Sequence, residues 1–119
     1  MAKPKNCISV SEAKNLHDNW TNTRAIEANR LVNEETDTRD FTFSLDDLQE
    51  YIDYVREESS KQRVANPGIR IYFAAYDELY NDKATVFLAP TTGVEKDSDN
   101  NYEIDPFNRG IGGWPPNAY

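Results

Sequence analysis

The sequence predicts an α+β domain: two amphipathic helices on one face of a small, mainly antiparallel three-stranded sheet, followed by an irregular C-terminal tail. Three observations carry this. Residues 45–55 repeat apolar side chains at helical spacing, residues 69–76 and 84–89 alternate as strands do, and Pro67-Gly68 separates the two patterns. The order helix, short strand, helix, strand, strand places both helices on the same side of the sheet. At 119 residues the chain has room for one such domain, spanning 1–119, and not for two.

The first helix starts at Ser9, where Ser9-Val10-Ser11-Glu12 has capping-box spacing and Ile8 precedes it as a hydrophobic staple. Val10, Ala13, Leu16, Trp20, Ala28 and Leu31 fall on one stripe, which His17, Arg24 and Glu27 share. The helix reaches toward Val32, with Thr21-Asn22-Thr23 as a weak patch where it can break. Residues 36–40 read as a connector, and Phe41-Thr42-Phe43 as a short strand.

Ser44 caps the second long helix, with Asp46 and Asp47 in the first turn where the helix dipole favours carboxylates. Leu45, Leu48, Ile52 and Val55 form its apolar stripe, Tyr51 lies at the edge, and Asp46, Glu50, Asp53 and Glu57 lie opposite. The helix frays through Ser59-Ser60, and the chain turns at Asn66-Pro67-Gly68, since a residue before proline is pushed out of the helical region.

A hairpin follows. Ile69, Ile71, Phe73 and Ala75 share one face of its first strand; Arg70, Tyr72, Ala74 and Tyr76 share the other. Ala84, Val86 and Leu88 alternate with Thr85, Phe87 and Ala89 in the return strand, which Pro90 ends. The aliphatic face is the expected platform for the helices. The face of Arg70, Tyr72, Tyr76 and Phe87 then needs a second cover, and the Gly-Ile-Gly-Gly-Trp-Pro-Pro tail is the nearest unused segment. Residues 1–8 and 92–119 are expected to be irregular.

The segments DTRDFTFSLDDLQEYIDYV, NPGIRIYFAAY and FLAPT, with a C-terminal Gly-Gly-x-Pro-Pro, resemble those of small proteins of Bacteroidota to which no activity is assigned. The resemblance spans about three quarters of the chain. It implies a bacterial origin and brings no active-site residue.

Charge narrows the function classes. Residues 34–58 hold ten acids against two arginines, which accounts for the whole net charge of −8. No clustered Lys/Arg surface is available to track phosphates, so direct nucleic-acid binding is not expected. No apolar run has the length of a membrane span, and the N-terminal MAKPKNC has no apolar signal region, which predicts a cytoplasmic protein. The single cysteine forms no internal disulfide.

Catalytic signals are sparse. Cys7 and His17 are the only residues of their types, ten positions apart, and no nucleophile elbow is present. A zinc site needs more Cys/His ligands than two. Asp97, Asp99, Asn101, Glu103 and Asp105 offer oxygen at alternate positions, but Tyr102 and Asn108 stand where a calcium loop of the EF-hand type needs Gly and Glu, so a solvated acidic loop is expected. The glycines of GIGGWPP match no nucleotide-binding pattern. Neither a cofactor nor a resident metal is expected, and the residues lean against an enzyme while leaving one open.

Two functional expectations remain. The first is a non-catalytic, acidic protein-interaction module of the adaptor, inhibitor or immunity-protein type, using the acidic face of the second helix or an exposed aromatic sheet face; the sequence leaves monomer and homodimer open. The second is a small-molecule or anion-binding protein, or small enzyme, with a pocket near Trp20, Arg24, Arg70 and Tyr72, since arginine beside aromatics makes anion and ligand sites. The candidate binding residues are Trp20, Arg24, Arg70, Tyr72, Tyr76 and Phe87.

Overall fold

The structure, a computed structural model, describes residues 1–32, 36–77, 82–108 and 110–113, the last three by their backbone. It is α+β, as expected. In chain order the elements are α1 (Val10–Asn22), α2 (Arg24–Asn29), β1 (Asp40–Thr42), α3 (Leu45–Lys61), β2 (Gly68–Ala75), β3 (Ala84–Thr91) and β4 (Ile111–Gly113). Among the described residues no helix is long and apolar enough to cross a membrane.

The expected three-stranded sheet is instead two antiparallel ribbons. β2 pairs with β3 from Gly68↔Thr91 to Ala75↔Ala84, while β1 pairs with β4. Residues 92–119 are therefore not wholly irregular. β4 arises where the sequence has Gly112-Gly113, which have little strand propensity, so the partner strand supplies the order. Gly110 lets the chain enter it, because a Cβ there would sit 2.7 Å from the Phe43 ring.

The first helix breaks where its threonines cluster. Ser9 Oγ accepts from the Glu12 amide at 3.0 Å, as a cap should, but Thr23 has φ −129° and ψ −82° and divides α1 from α2. Among the described elements α1 packs chiefly on α2, and it buries none of its residues. The half-buried row is Ala13, His17 and Thr21, leading to buried Ala25. Val10, Leu16 and Leu31, expected to point inward, are exposed. The physical reason is that the expected sheet platform does not lie beneath them.

α2 is tied to the hairpin through the connector. Asn29 Oδ1 accepts from the Asp37 amide at 2.7 Å, and the buried Asp37 carboxylate accepts from the Thr38 and Ala84 amides, each at 2.8 Å. Lys83 Nζ donates to the Thr36 carbonyl at 2.6 Å.

α3 carries the core. Ser44 Oγ caps it by accepting from the Asp47 amide at 2.9 Å. Its buried row is Tyr51, Val55 and Ser59 with half-buried Leu48, while Leu45 is exposed. Tyr51, placed at the margin by hydrophobic spacing, is thus central. Its ring stacks on Phe107 at 4.8 Å, and its hydroxyl donates toward the carbonyls of Asp105 at 2.8 Å and Leu88 at 3.3 Å. Burial, then the nearby Tyr54 and Asp105, push its phenol up to about 12. Tyr51, Val55, Leu88 and Ile104 form the buried cluster, with Phe43, Leu48 and Phe107 packed against it.

The helix does not fray at Ser59-Ser60. It ends in a Schellman motif: the Val64 amide donates to the Ser59 carbonyl at 2.9 Å, the Arg63 amide to the Ser60 carbonyl at 3.0 Å, and Arg63 takes φ 61°. A non-glycine residue there costs free energy. Arg63→Gly is expected to stabilise the protein by about 0.5–1 kcal/mol in urea unfolding. A loss of stability would show that the Arg63 side chain contributes more than its backbone costs.

Candidate functional site

Strand alternation puts Ile69, Ile71 and Phe73 on one face of β2 and Arg70, Tyr72 and Ala74 on the other, with the same division in β3 across the ribbon. The structure meets the expectation for the aliphatic face only on β3, where Leu88 packs with α3, and covers the aromatic face with a loop. The aliphatic face is open on β2: Ile69 is 38% exposed, Ile71 61% and Phe73 89%. Leu88, directly opposite Ile71, is buried because the segment around Phe107 pairs beside it (amide–carbonyl distances 2.8 and 2.9 Å) and joins Tyr51 of α3 in the core cluster. α3 thus serves the β3 side of this face and leaves the β2 side bare. The outer edge of β2 pairs with no described strand.

The aromatic face is covered by residues 92–106, a segment whose polarity suggested a solvated loop. This loop folds back along the end of β3. The Thr92 amide donates to the Asp99 carbonyl at 2.9 Å, the Asn101 amide to the Pro90 carbonyl at 2.8 Å, and Thr91 and Asn100 form a bridge. Asn101 Nδ2 donates to Gln62 Oε1 at 2.6 Å, tying the loop to the end of α3, and Ile104 inserts at 1% exposure. The expected cover, the Trp114-Pro115-Pro116 tail, lies outside the described residues. The backbone just before it pairs with β1, not with the hairpin.

Arg70 is the organiser of this cover. Its guanidinium donates to Asn100 Oδ1 at 2.7 Å, to the Ser98 carbonyl at 3.0 Å and to the Lys96 carbonyl at 3.3 Å. Because guanidinium is a donor only, the Asn100 oxygen must face it. Asn100 Nδ2 is then turned to the Tyr72 hydroxyl, 2.7 Å away. The phenol oxygen accepts, and its own proton is left to donate elsewhere. Asn100, and secondarily Arg70, hold the Tyr72 phenol below its usual value.

Tyr72 stacks on Phe87 across the ribbon, with centroids 5.1 Å apart and planes 20° apart. Between this pair and the loop is a hollow of about 300 Å³, walled by Tyr72, Phe87, Pro90, Asn100, Tyr102 and Ile104 among others. Tyr76, at the strand end, accepts from Asn108 Nδ2 at 3.2 Å and does not line it.

The six residues singled out by sequence therefore divide. Arg70, Tyr72 and Phe87 are brought together, and Tyr76 lies beside them. Trp20 and Arg24 do not join them: they lie on α1 and α2, neither lines the hollow, and among the described residues the exposed Arg24 donates only to neighbouring Thr23 Oγ1, at 3.4 Å. The four-residue pocket of Trp20, Arg24, Arg70 and Tyr72 is not formed. Sequence reasoning missed Asn100, Ile104 and Pro106; an apolar Ile104 and a Pro106 inside an acidic stretch were the available signal.

Other chemistry finds little geometry. Cys7 is exposed, and the buried His17 Nε2 has no hydrogen-bond partner among the described residues, Cys7 included. Among the described residues no three His, Cys, Asp or Glu side chains converge to hold a metal. Within 97–105, Asn101 spends its amide on Gln62 and on the Glu103 backbone (3.2 Å). The chain matches no protein-family model, no curated protein and no solved structure.

Proposed function

We propose that the protein is a non-catalytic protein-interaction module whose docking surface is the open aliphatic side of the hairpin. The observation that carries this reading is the exposure of Ile71 and Phe73, at 61% and 89%, on a regular eight-residue strand whose outer edge pairs with no described strand. A soluble domain that presents contiguous aliphatic and aromatic side chains on an unpaired edge carries an aggregation hazard unless a partner covers them. Such an edge accepts an added strand through its main chain while alternate side chains supply specificity.

Val10 and Leu16 of α1 are exposed as well, which makes apolar surface available on a second element. The acids of α3, among them Asp46, Asp53 and Glu57, face solvent. They supply long-range attraction for a partner with a basic surface and make association sensitive to salt. This reading places the protein in the cytoplasm of a bacterium and outside enzymology.

Phe73→Ser tests it. Truncating an exposed side chain should change folding stability by no more than about 0.5 kcal/mol. A photo-crosslinker at position 73, in cells that natively make the protein, is expected to capture one stoichiometric protein partner. A crosslinker at the equally exposed Tyr102 should not capture it, and Ile71→Ser should abolish the capture at 73. Equal capture from both positions, or none from 73, overturns the reading.

A further inference from the structure

The hollow on the opposite face of the hairpin is independent of that docking surface, and its chemistry is specific enough to name a ligand class. We propose that it binds a small, uncharged aromatic compound carrying a hydrogen-bond acceptor oxygen, with the ring against Tyr72 and Phe87 and the acceptor on the Tyr72 hydroxyl.

Size sets the first limit. About 300 Å³ lies at the lower end of ligand pockets and accommodates one or two fused rings. The walls set the second. Tyr72 and Phe87 offer a stacked aromatic surface, while Pro90 and Ile104 close it with aliphatic carbon. A flat π-system gains more from such walls than a flexible chain of equal size, through offset or edge contacts to the rings and without losing rotamer entropy.

The polar end sets the third limit. Arg70 fixes the Asn100 amide, Asn100 donates to the Tyr72 oxygen, and among the described residues the Tyr72 hydroxyl donates to no acceptor. In the proposed complex the hydroxyl of Tyr72, a wall of the hollow, gives its proton to the ligand's acceptor oxygen. Arg70 itself is spent on the loop, through Asn100, Ser98 and Lys96, and does not line the hollow. The loop around it carries Glu95, Asp97, Asp99, Glu103 and Asp105, and with Lys96 and the Arg70 it encloses counted against them the surroundings are still net negative. An anionic ligand would be repelled by those carboxylates, and a cation would find a donor where it needs an acceptor. A neutral carbonyl or ether oxygen on an aromatic ring satisfies both. Tyr102, 89% exposed, stands at the rim where it can lie over a bound ring.

Acetophenone, a ring with a single carbonyl, is the probe. Titrated to 10 mM into the 15N-labelled full chain, a concentration on the order expected for a fragment of so few atoms, it should give saturable amide shifts at Phe87, Asn100, Asn101 and Ile104. The amides of Ile69, Ile71 and Phe73 should respond less. Tyr72→Phe keeps the ring and removes the donor, and should weaken binding about fivefold. Where that variant disturbs the loop's own amide positions, Tyr102→Ala supplies the same reading, since an exposed rim residue can be truncated without unfolding the domain; it too should bind more weakly. Absence of saturable shifts in the wild-type protein, shifts centred on the outward face of β2, or unchanged affinity in the informative variant each overturn the proposal. Failure here leaves the docking surface on the other face untouched, because the crosslink at position 73 reads that separately.

Discussion

Tyr51→Ala is expected to remove about 3–5 kcal/mol of folding stability, a large share of what a domain of this size has. The side chain is buried, stacks on Phe107, and sits where α3, β3 and residues 104–107 meet. Truncating a buried aromatic costs about 3–5 kcal/mol, against a total stability of about 5–15 kcal/mol for a domain of ordinary size. The effect is large because, among the described residues, the central cluster is Tyr51, Val55, Leu88 and Ile104, and neither α1 nor the open side of β2 contributes to it. Tyr51→Phe separates the hydroxyl from the ring. It keeps the stack and removes the donor to the Asp105 and Leu88 carbonyls. The Leu88 carbonyl still accepts from the Phe107 amide, so the expected loss is smaller, about 1–2 kcal/mol in urea unfolding. A Tyr51→Ala protein with near-native stability would mean that the core lies elsewhere.

The same residue sets an alkaline limit. In the unfolded chain its phenol ionises near the ordinary tyrosine value of about 10, while in the folded protein burial pushes it up to about 12. The folded form therefore holds its proton longer. The resulting stability is complete below pH of about 10 and is lost as pH rises through about 12. Wild-type stability should fall steeply across that window, and Tyr51→Phe should flatten the fall. Parallel curves for the two proteins would remove Tyr51 as the cause.

The elements were legible in the sequence because each is written locally. Ser9 and Ser44 cap as their spacing says, Thr23 breaks a helix where β-branched and polar residues cluster, and the alternation from Ile69 to Ala75 is a strand. What alternation does not carry is sign. It divides Ile71 from Tyr72 without saying which is covered, and both faces here are apolar enough to be core. The greater hydrophobicity of Ile69, Ile71 and Phe73 pointed inward, but the outcome depends on which segments have the geometry to reach each face. Arg70 is the decisive residue. Its long donor fork can order a polar loop that no hydrophobic pattern would mark as a cover, through contacts 26 to 30 residues away. The Asn101–Gln62 pair, 39 residues apart, is equally invisible to any local window. Tyr51 was misplaced for a related reason: a hydrophobic scale registers its ring weakly and its hydroxyl as polar, whereas the fold uses both.

Ile104→Ala, the second of the large effects, addresses what holds that polar cover in place. Ile104 is 1% exposed, belongs to the core cluster, and also walls the hollow beside Tyr72 and Phe87. The loop's remaining ties are hydrogen bonds: Arg70 to Asn100, Asn101 to Gln62, and backbone pairs at Thr92 and Asn101. Each nets only about 1 kcal/mol, because water satisfies the same groups when the loop lifts. Ile104 is the one side chain between 92 and 105 whose removal from water is both large and nearly complete. Replacing it by alanine should cost about 2–5 kcal/mol and lower the melting temperature by about 10 °C or more. Native-state hydrogen exchange should show the loss first at the Asn101 and Ile104 amides, through local opening of 92–106, with the β1–β4 ribbon less affected. Tyr102→Ala, two residues away but exposed, serves as the control and should lie within about 0.5 kcal/mol of wild type. If Ile104→Ala is as mild as that control, the polar contacts alone hold the loop. In that case Arg70→Gln, which abolishes three of them, should be the more damaging substitution.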